Sequence, residues 1–163
     1  MTKKILIESN LVLSADGSSV ASLFTGNFIT AAGAPPVSTI ANSASSKFRM
    51  YRSGAIAHIF MSVEVASSTA GSGAYFIRMP TGYTLDGLST PNNFTAGQPL
   101  GKIATFSASQ GFQNEWTLYQ QAPSLLYAKN EGTTSVWGSG TQGNMLHQTH
   151  IAISITAAIV EWL

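Results

Sequence analysis

The sequence predicts an all-β protein: an antiparallel β-sandwich, jelly-roll-like, that forms one domain behind a short N-terminal arm. Several segments alternate apolar and polar residues with a period of two, which is typical of half-buried strands. No window combines the apolar spacing of a helix with capping residues. Asp, Glu, Lys and Arg make up only 9% of the 163 residues, against about a quarter in ordinary domains. The polar surface therefore consists of uncharged side chains and glycine.

Residues 1–20 are predicted to form an arm or an edge hairpin, and residues 21–163 the sandwich domain. Two short apolar runs mark the arm, and Asp16-Gly17 is a turn signal after them. The runs are Ile5, Leu6, Ile7 and Leu11, Val12, Leu13. Glu8 interrupts the first run too early for a signal peptide, and no segment reaches the roughly 18 apolar residues of a membrane helix. We expect a soluble protein without an export signal or a membrane partner.

The strand prediction is clearest at 47–52 and 55–65, which Ser53-Gly54 joins into a hairpin. In the second strand the inward face consists of Ala57, Ile59, Met61, Val63 and Val65, and the outward face of His58, Ser62 and Glu64. Further strands are expected at 74–79, 100–108, 115–121, 125–129 and 149–162. Residues 31–46 and 86–99 are rich in Gly, Pro, Ser, Thr and Asn, which predicts long surface loops.

The last predicted strand has one large and one small face. Its inward residues are Ile151, Ile153, Ile155, Ala157 and Ile159, and its outward residues are Ala152, Ser154, Thr156 and Ala158. Small outward residues permit close approach by a neighbouring surface. The pattern therefore favours self-association.

The sequence motifs that could carry chemistry are weak. Residues 138–143 match the GxGxxG phosphate-binding string, but no helix follows it, so a turn is favoured. His147 and His150, three apart in a strand, would point to opposite faces, which disfavours a zinc site with His58. We predict no metal and no cofactor.

Catalytic carboxylates and nucleophiles are also not evident. The acidic candidates for a glycosidase pair occur singly, namely Asp16, Glu64, Asp86, Glu115 and Glu161. No serine lies in a GxSxG elbow. A net charge of +1 gives no basic footprint for nucleic acid. We predict a protein that is not an enzyme and has no nucleic-acid partner.

Aromatic residues offer two interpretations. Trp116, Trp137, Trp162, Tyr119 and Tyr127 could stack on sugar rings, or they could pack the core or an interface, as is commoner. Trp137 lies among Ser, Gly and Thr and is the best candidate for an exposed platform.

Three segments together resemble a known class of domain. The run 76–86, Phe-Ile-Arg-Met-Pro-Thr-Gly-Tyr-Thr-Leu-Asp, resembles a strand followed by Pro-x-Gly-Tyr-Thr-hydrophobic-Asp in small β domains of bacteriophage virion proteins, typically tail-fibre tips. Residues 49–54 resemble their Tyr-Arg-x-Gly hairpin, and residues 159–163 resemble their closing hydrophobic-x-x-Trp tail. The resemblance covers residues 24–163.

The resemblance implies a trimer of β domains without catalytic residues. Because only residues 1–20 precede the domain, the chain is also similar to capsid decoration or cement proteins. We expect such a protein on the exterior of the virion, made in the host cytoplasm, with its arm contacting the major capsid protein. The alternative is a tail-fibre or baseplate tip that binds a host glycan through Tyr83, Asn92, Asn93 and Trp137.

Overall fold

A computed structural model describes most of the chain. The described residues are 10–17, 19–24, 28–31, 38–40, 45–68, 74–86, 99–107, 112–130, 136–138 and 150–163. Within these ranges the protein is all-β, with one four-residue helical turn, α1 (Ser19–Ser22), and a 3-10 turn at Val160–Trp162.

Ten strands are formed by the described residues. They are β1 (Asn10–Asp16), β2 (Ile29–Ala31), β3 (Ser38–Ile40), β4 (Lys47–Ser53), β5 (Ile56–Ser68), β6 (Tyr75–Arg78), β7 (Gly101–Ser107), β8 (Phe112–Ala122), β9 (Leu125–Lys129) and β10 (His150–Ala158).

The strands follow one continuous antiparallel path, in the order β1-β4-β5-β10-β7-β8-β9-β6-β2, with β3 added beside the end of β5. This sheet is curled into a half-barrel. The prediction of an all-β antiparallel fold is confirmed. The finer prediction of a sandwich or jelly roll is not confirmed, because the described strands lie on a single path instead of in two stacked sheets.

The predicted hairpin at 47–65 is confirmed as β4 and β5. Gly54 makes the turn with φ of +62°, a left-handed conformation that glycine adopts without strain. The predicted inward residues Ala57, Ile59, Met61 and Val63 are all buried. Their polar neighbours on the other face remain at least partly exposed.

β10 lies in the middle of the sheet, hydrogen-bonded to β5 on one side and β7 on the other. Ile151, Ile153 and Ile155 are buried, as their alternation predicts. Ala152, Ser154 and Thr156 are exposed on the opposite side. The strand ends earlier than predicted, since residues 160–162 turn into a 3-10 conformation in which the Trp162 N–H donates to the Ile159 carbonyl.

The hydrophobic core fills the concave, inner side of the curl. Phe24, which follows α1, lies 4.8 Å from Phe28 next to β2 and 5.9 Å from Phe48 in β4, measured between ring centroids. β2 and β4 belong to opposite ends of the strand order. The Phe24 ring therefore bridges the two ends of the half-barrel.

Two short strands were not expected. β3 lies inside the segment 31–46 that was predicted to be a loop, so that prediction is wrong at Ser38–Ile40. β5 has 13 residues, and the three residues of β3 pair with Val65, Ser67 and Ser68 near its end. β2 pairs with β6. Both arise from pairing with a distant strand, which local composition does not encode.

Gly101 is required where β7 meets β10. A Cβ added to Gly101 would overlap the Ser154 carbonyl oxygen, which is a backbone atom and not the end of a flexible side chain. We predict that Gly101→Ala lowers the free energy of unfolding by about 1–3 kcal/mol through overpacking, measured by chemical denaturation. Gly54→Asn is the control, because space around Gly54 is open and Asn tolerates a positive φ. Equal losses in the two variants would contradict this account.

Candidate functional site

The candidate site is the outer face, which we define as the outward-pointing side chains of β4, β5, β10, β7 and β8. The strand register aligns these side chains in rows across the sheet. One row consists of Lys47, Ser62, Ala152, Ala104 and Glu115. The next row consists of Arg49, Phe60, Ser154, Lys102 and Thr117.

Small side chains at the centre of these rows create a groove of about 520 Å³. Its floor is formed at β10 by Ala152 and Ser154, and its walls include Lys47, Phe60 and Glu115. The groove therefore has an apolar floor, a cation at one end of the first row and a carboxylate at the other.

Two ion pairs border the groove. The Arg49 guanidinium binds both oxygens of the Asp16 carboxylate at 2.9 and 3.0 Å. The Lys102 ammonium lies 2.7 Å from Glu115 Oε1. The second pair is largely solvent-exposed and contributes little to stability by itself. Among the described residues, Lys47 has no ion-pair partner.

Two large apolar side chains stand out on the outer face. Phe60 in β5 is 52% exposed and Phe106 in β7 is 47% exposed, one on each side of β10. The Phe106 ring lies 6.5 Å from the His150 ring. Their signal in the sequence is an aromatic residue on the polar face of an alternating strand, and sequence reasoning missed it.

A second cluster, the C-terminal clasp, joins the three segments that resemble virion β domains. The Arg52 guanidinium lies 5.1 Å from the Trp162 ring centroid, and the Tyr83 ring meets the same indole edge to face at 5.9 Å. The Val160 N–H donates to the Thr84 carbonyl at 2.8 Å. Segments far apart in sequence thus meet at one place.

Glu161 completes the clasp. Its carboxylate accepts a hydrogen bond from the Thr84 N–H at 2.9 Å. Hydrogen bonding to Thr84, mainly through that residue's side chain, lowers the pKa of Glu161. The charged form of this carboxylate is therefore the one that holds the 3-10 turn against residues 83–85.

The expectation of an exposed Trp137 is corrected by the structure. Trp137 is completely buried and packs edge to face on Tyr75 at 5.3 Å. The backbone N–H of Trp137 donates to the Ala128 carbonyl, and the backbone carbonyl of Trp137 accepts from the Tyr75 N–H. These bonds place it between β9 and β6, so it cannot serve as a sugar platform.

The other aromatic candidates divide between core and surface. Trp116 is buried, and Tyr127 is buried against a stacked Tyr119, with burial raising the pKa of Tyr127. Tyr83 and Trp162 are only half-buried. Asn92 and Asn93 lie outside the described residues.

The predicted arm is described only in part. Ile5, Leu6 and Ile7 lie outside the described residues, whereas Leu11, Val12 and Leu13 belong to β1. β1 pairs with β4, with a register shift between Leu11 and Leu13. Leu11 is exposed, and Leu13 packs on the core. Among the described strands, β1 is thus an end strand of the sheet.

The remaining chemical candidates are dispersed. His58 and His150 lie on the outer face, where His58 Nδ1 is 3.3 Å from the Thr156 hydroxyl, and His147 lies outside the described residues. Most of the 138–143 string also lies outside them. Across the described ranges there is no group of three metal-ligating side chains. The described helices include none that is long and apolar enough to cross a membrane.

No protein-family profile, curated protein or solved structure matches this chain significantly. Its function is therefore inferred from its own residues and geometry. The outer face and the C-terminal clasp are the two surfaces on which that inference rests.

The clasp predicts a measurable coupling between Arg52 and Trp162. A double-mutant cycle with Arg52→Ala and Trp162→Ala should give a coupling free energy of about 0.5–1 kcal/mol, because an exposed cation over an indole has that strength. Chemical denaturation provides the four free energies of unfolding. The matched control pairs Arg52→Ala with Phe106→Ala and should give no coupling. If the coupling free energy between Arg52 and Trp162 is no larger than that between Arg52 and Phe106, the clasp is contradicted.

Glu161 predicts a pH dependence of stability. A carboxyl with a lowered pKa in the folded state stabilises the fold above its ordinary pKa, and this contribution is lost as the pH falls through the lowered value. Glu161→Gln should therefore be less stable than the original chain at neutral pH, with the difference shrinking below about pH 4. Thermal unfolding across pH measures this. A difference that does not change with pH would contradict the role of the charge.

Proposed function

We propose that this chain is a non-enzymatic structural protein of a bacteriophage virion, most simply a capsid decoration or cement protein that stabilises the head as a trimer. The observation that carries the proposal is the outer face, with exposed Phe60 and Phe106 beside a floor of small side chains. Such a surface suits contact with another protein, because it combines apolar area with little charge to desolvate.

The C-terminal clasp supports the virion class. Residues 49–54, 76–86 and 159–163 each resemble virion β domains, and Arg52, Tyr83 and Trp162 from these segments are in contact. Because these residues pack on one another, each of them depends on the other two for its contacts. The three short motifs thus act as one feature of the fold, which strengthens the resemblance.

Attachment to the capsid would use the end of the sheet at β1. Among the described strands β1 pairs only with β4, so no described strand occupies its other edge, where a strand from a neighbouring protein would pair. Such strand addition provides main-chain hydrogen bonds, and apolar side chains such as Leu11 add specificity. The major capsid protein is the partner that this role requires. Many copies on one particle would add avidity to modest individual contacts.

The alternative function is a tail-fibre or baseplate tip that recognises a host glycan. Half-exposed Tyr83 and Trp162, with Arg52 beside them, favour it, since aromatic faces and a guanidinium are suited to sugar rings and their hydroxyls. Buried Trp137 no longer contributes to this alternative. Loss of glycan binding in Trp162→Phe, with the fold retained, would favour the tip over the cement protein.

Copy number per purified particle tests the proposal. We expect this chain in a simple stoichiometric ratio to the major capsid protein, because cement proteins follow the capsid lattice, and quantitative mass spectrometry of intact particles measures it. Tail and capsid proteins of the same particles calibrate the ratio. A few copies per particle would contradict the cement function and support the tail tip. Absence from particles would contradict both.

A further inference from the structure

We propose that the outer face binds further copies of this chain around a symmetry axis parallel to β10. This inference deepens the proposed function, on which its trimeric order rests, by assigning the contact surface. β10 is the centre of the face, with β5 and β4 on one side and β7 and β8 on the other. An axis along β10 turns the β4 side of one copy toward the β8 side of the next, at the same height along the strands.

The charges of the first row suit this arrangement. Lys47 is at its β4 end and Glu115 at its β8 end. Lys47 of one copy therefore meets Glu115 of the next, where it would share that carboxylate with Lys102 of the same copy as Glu115. Each contact around the axis repeats this arrangement. An axis across the strands would instead place β4 of one copy over β4 of the other. Lys47 and Arg49 would then face the same two cationic residues of the other copy. Opposite-charge pairing selects the axis parallel to β10.

The small residues permit the approach. Ala152 and Ser154 lie on the axis, and Ser62 faces Ala104 of the next copy. In the first row no long side chain separates the sheets at the centre, because Ser62, Ala152 and Ala104 are all small. Phe60 of one copy faces Lys102 of the next, whose aliphatic stem and ammonium can cover the ring. The exposed phenyl group is thereby removed from water.

The dimensions of the face are adequate for a stable contact. β10 has nine residues, and at about 3.4 Å each, with five strands about 4.8 Å apart, the face measures roughly 30 by 20 Å. A standard interface buries about 800 Å² on each partner. The area of the outer face, to which protruding side chains add, is comparable with the area that one partner buries in a standard interface.

A charge-swap cycle tests the assignment. Sedimentation equilibrium of the full chain should show an assembly that Lys47→Glu and Glu115→Lys each weaken by roughly tenfold in dissociation constant. The double variant should recover most of the loss, because the swapped charges pair again between copies. Ser124→Glu, at an exposed turn away from the groove, is the control and should leave assembly unchanged. Thermal unfolding checks that all variants fold.

The outcomes separate this inference from the proposed function. Rescue in the double variant supports the face, whatever order of assembly is found. A monomeric chain at high concentration, or a double variant no better than either single variant, overturns it. A rescued dimer would support the face while contradicting the trimer. Particle copy number is independent of these outcomes and tests the virion function alone.

Discussion

Much of the structure depends on β10, whose inner face must fill the core with large apolar side chains while its outer face carries small ones. Its inner side chains are mainly isoleucines packed in the core, while its outer side chains after His150 are alanine, serine and threonine. Since β5 and β7 both pair with this strand, the core of the half-barrel and the groove on its outer face share one backbone. Gly101 allows β7 to approach β10 closely, which keeps that backbone continuous with the sheet.

The half-barrel has a large outer surface that the described residues do not cover. Its polar residues are mostly uncharged, and the bordering ion pairs neutralise Arg49 with Asp16 and Lys102 with Glu115. Contact with another protein then requires little desolvation of unpaired charge, which is the main cost of burying polar surface. Where β10 ends and the β4–β5 turn lies, the clasp holds the C-terminal residues against residues 83–86 and against that turn.

Local patterns predicted most of the fold. The alternation in 55–65 and 149–162 identified β5, β10 and their inward residues, since a period of two is a property of the strand itself, although β10 ends at Ala158. β3 and the burial of Trp137 could not be predicted in this way. β3 forms because β5 continues beyond β4, and Trp137 is buried by bonds to Ala128 and Tyr75. The row from Lys47 to Glu115 likewise exists only through the register of five strands.

The most direct test of the central claim is whether other copies cover the centre of the outer face in solution. The chain has no cysteine, so Ala152→Cys introduces a single thiol at the exposed centre of β10, and Ser124→Cys introduces one at a turn. We predict that alkylation of the first thiol is slow at high protein concentration, at least about tenfold slower than that of the second, and becomes fast on dilution as copies dissociate. Equal, concentration-independent alkylation of the two thiols would show that the face is open and would contradict the account.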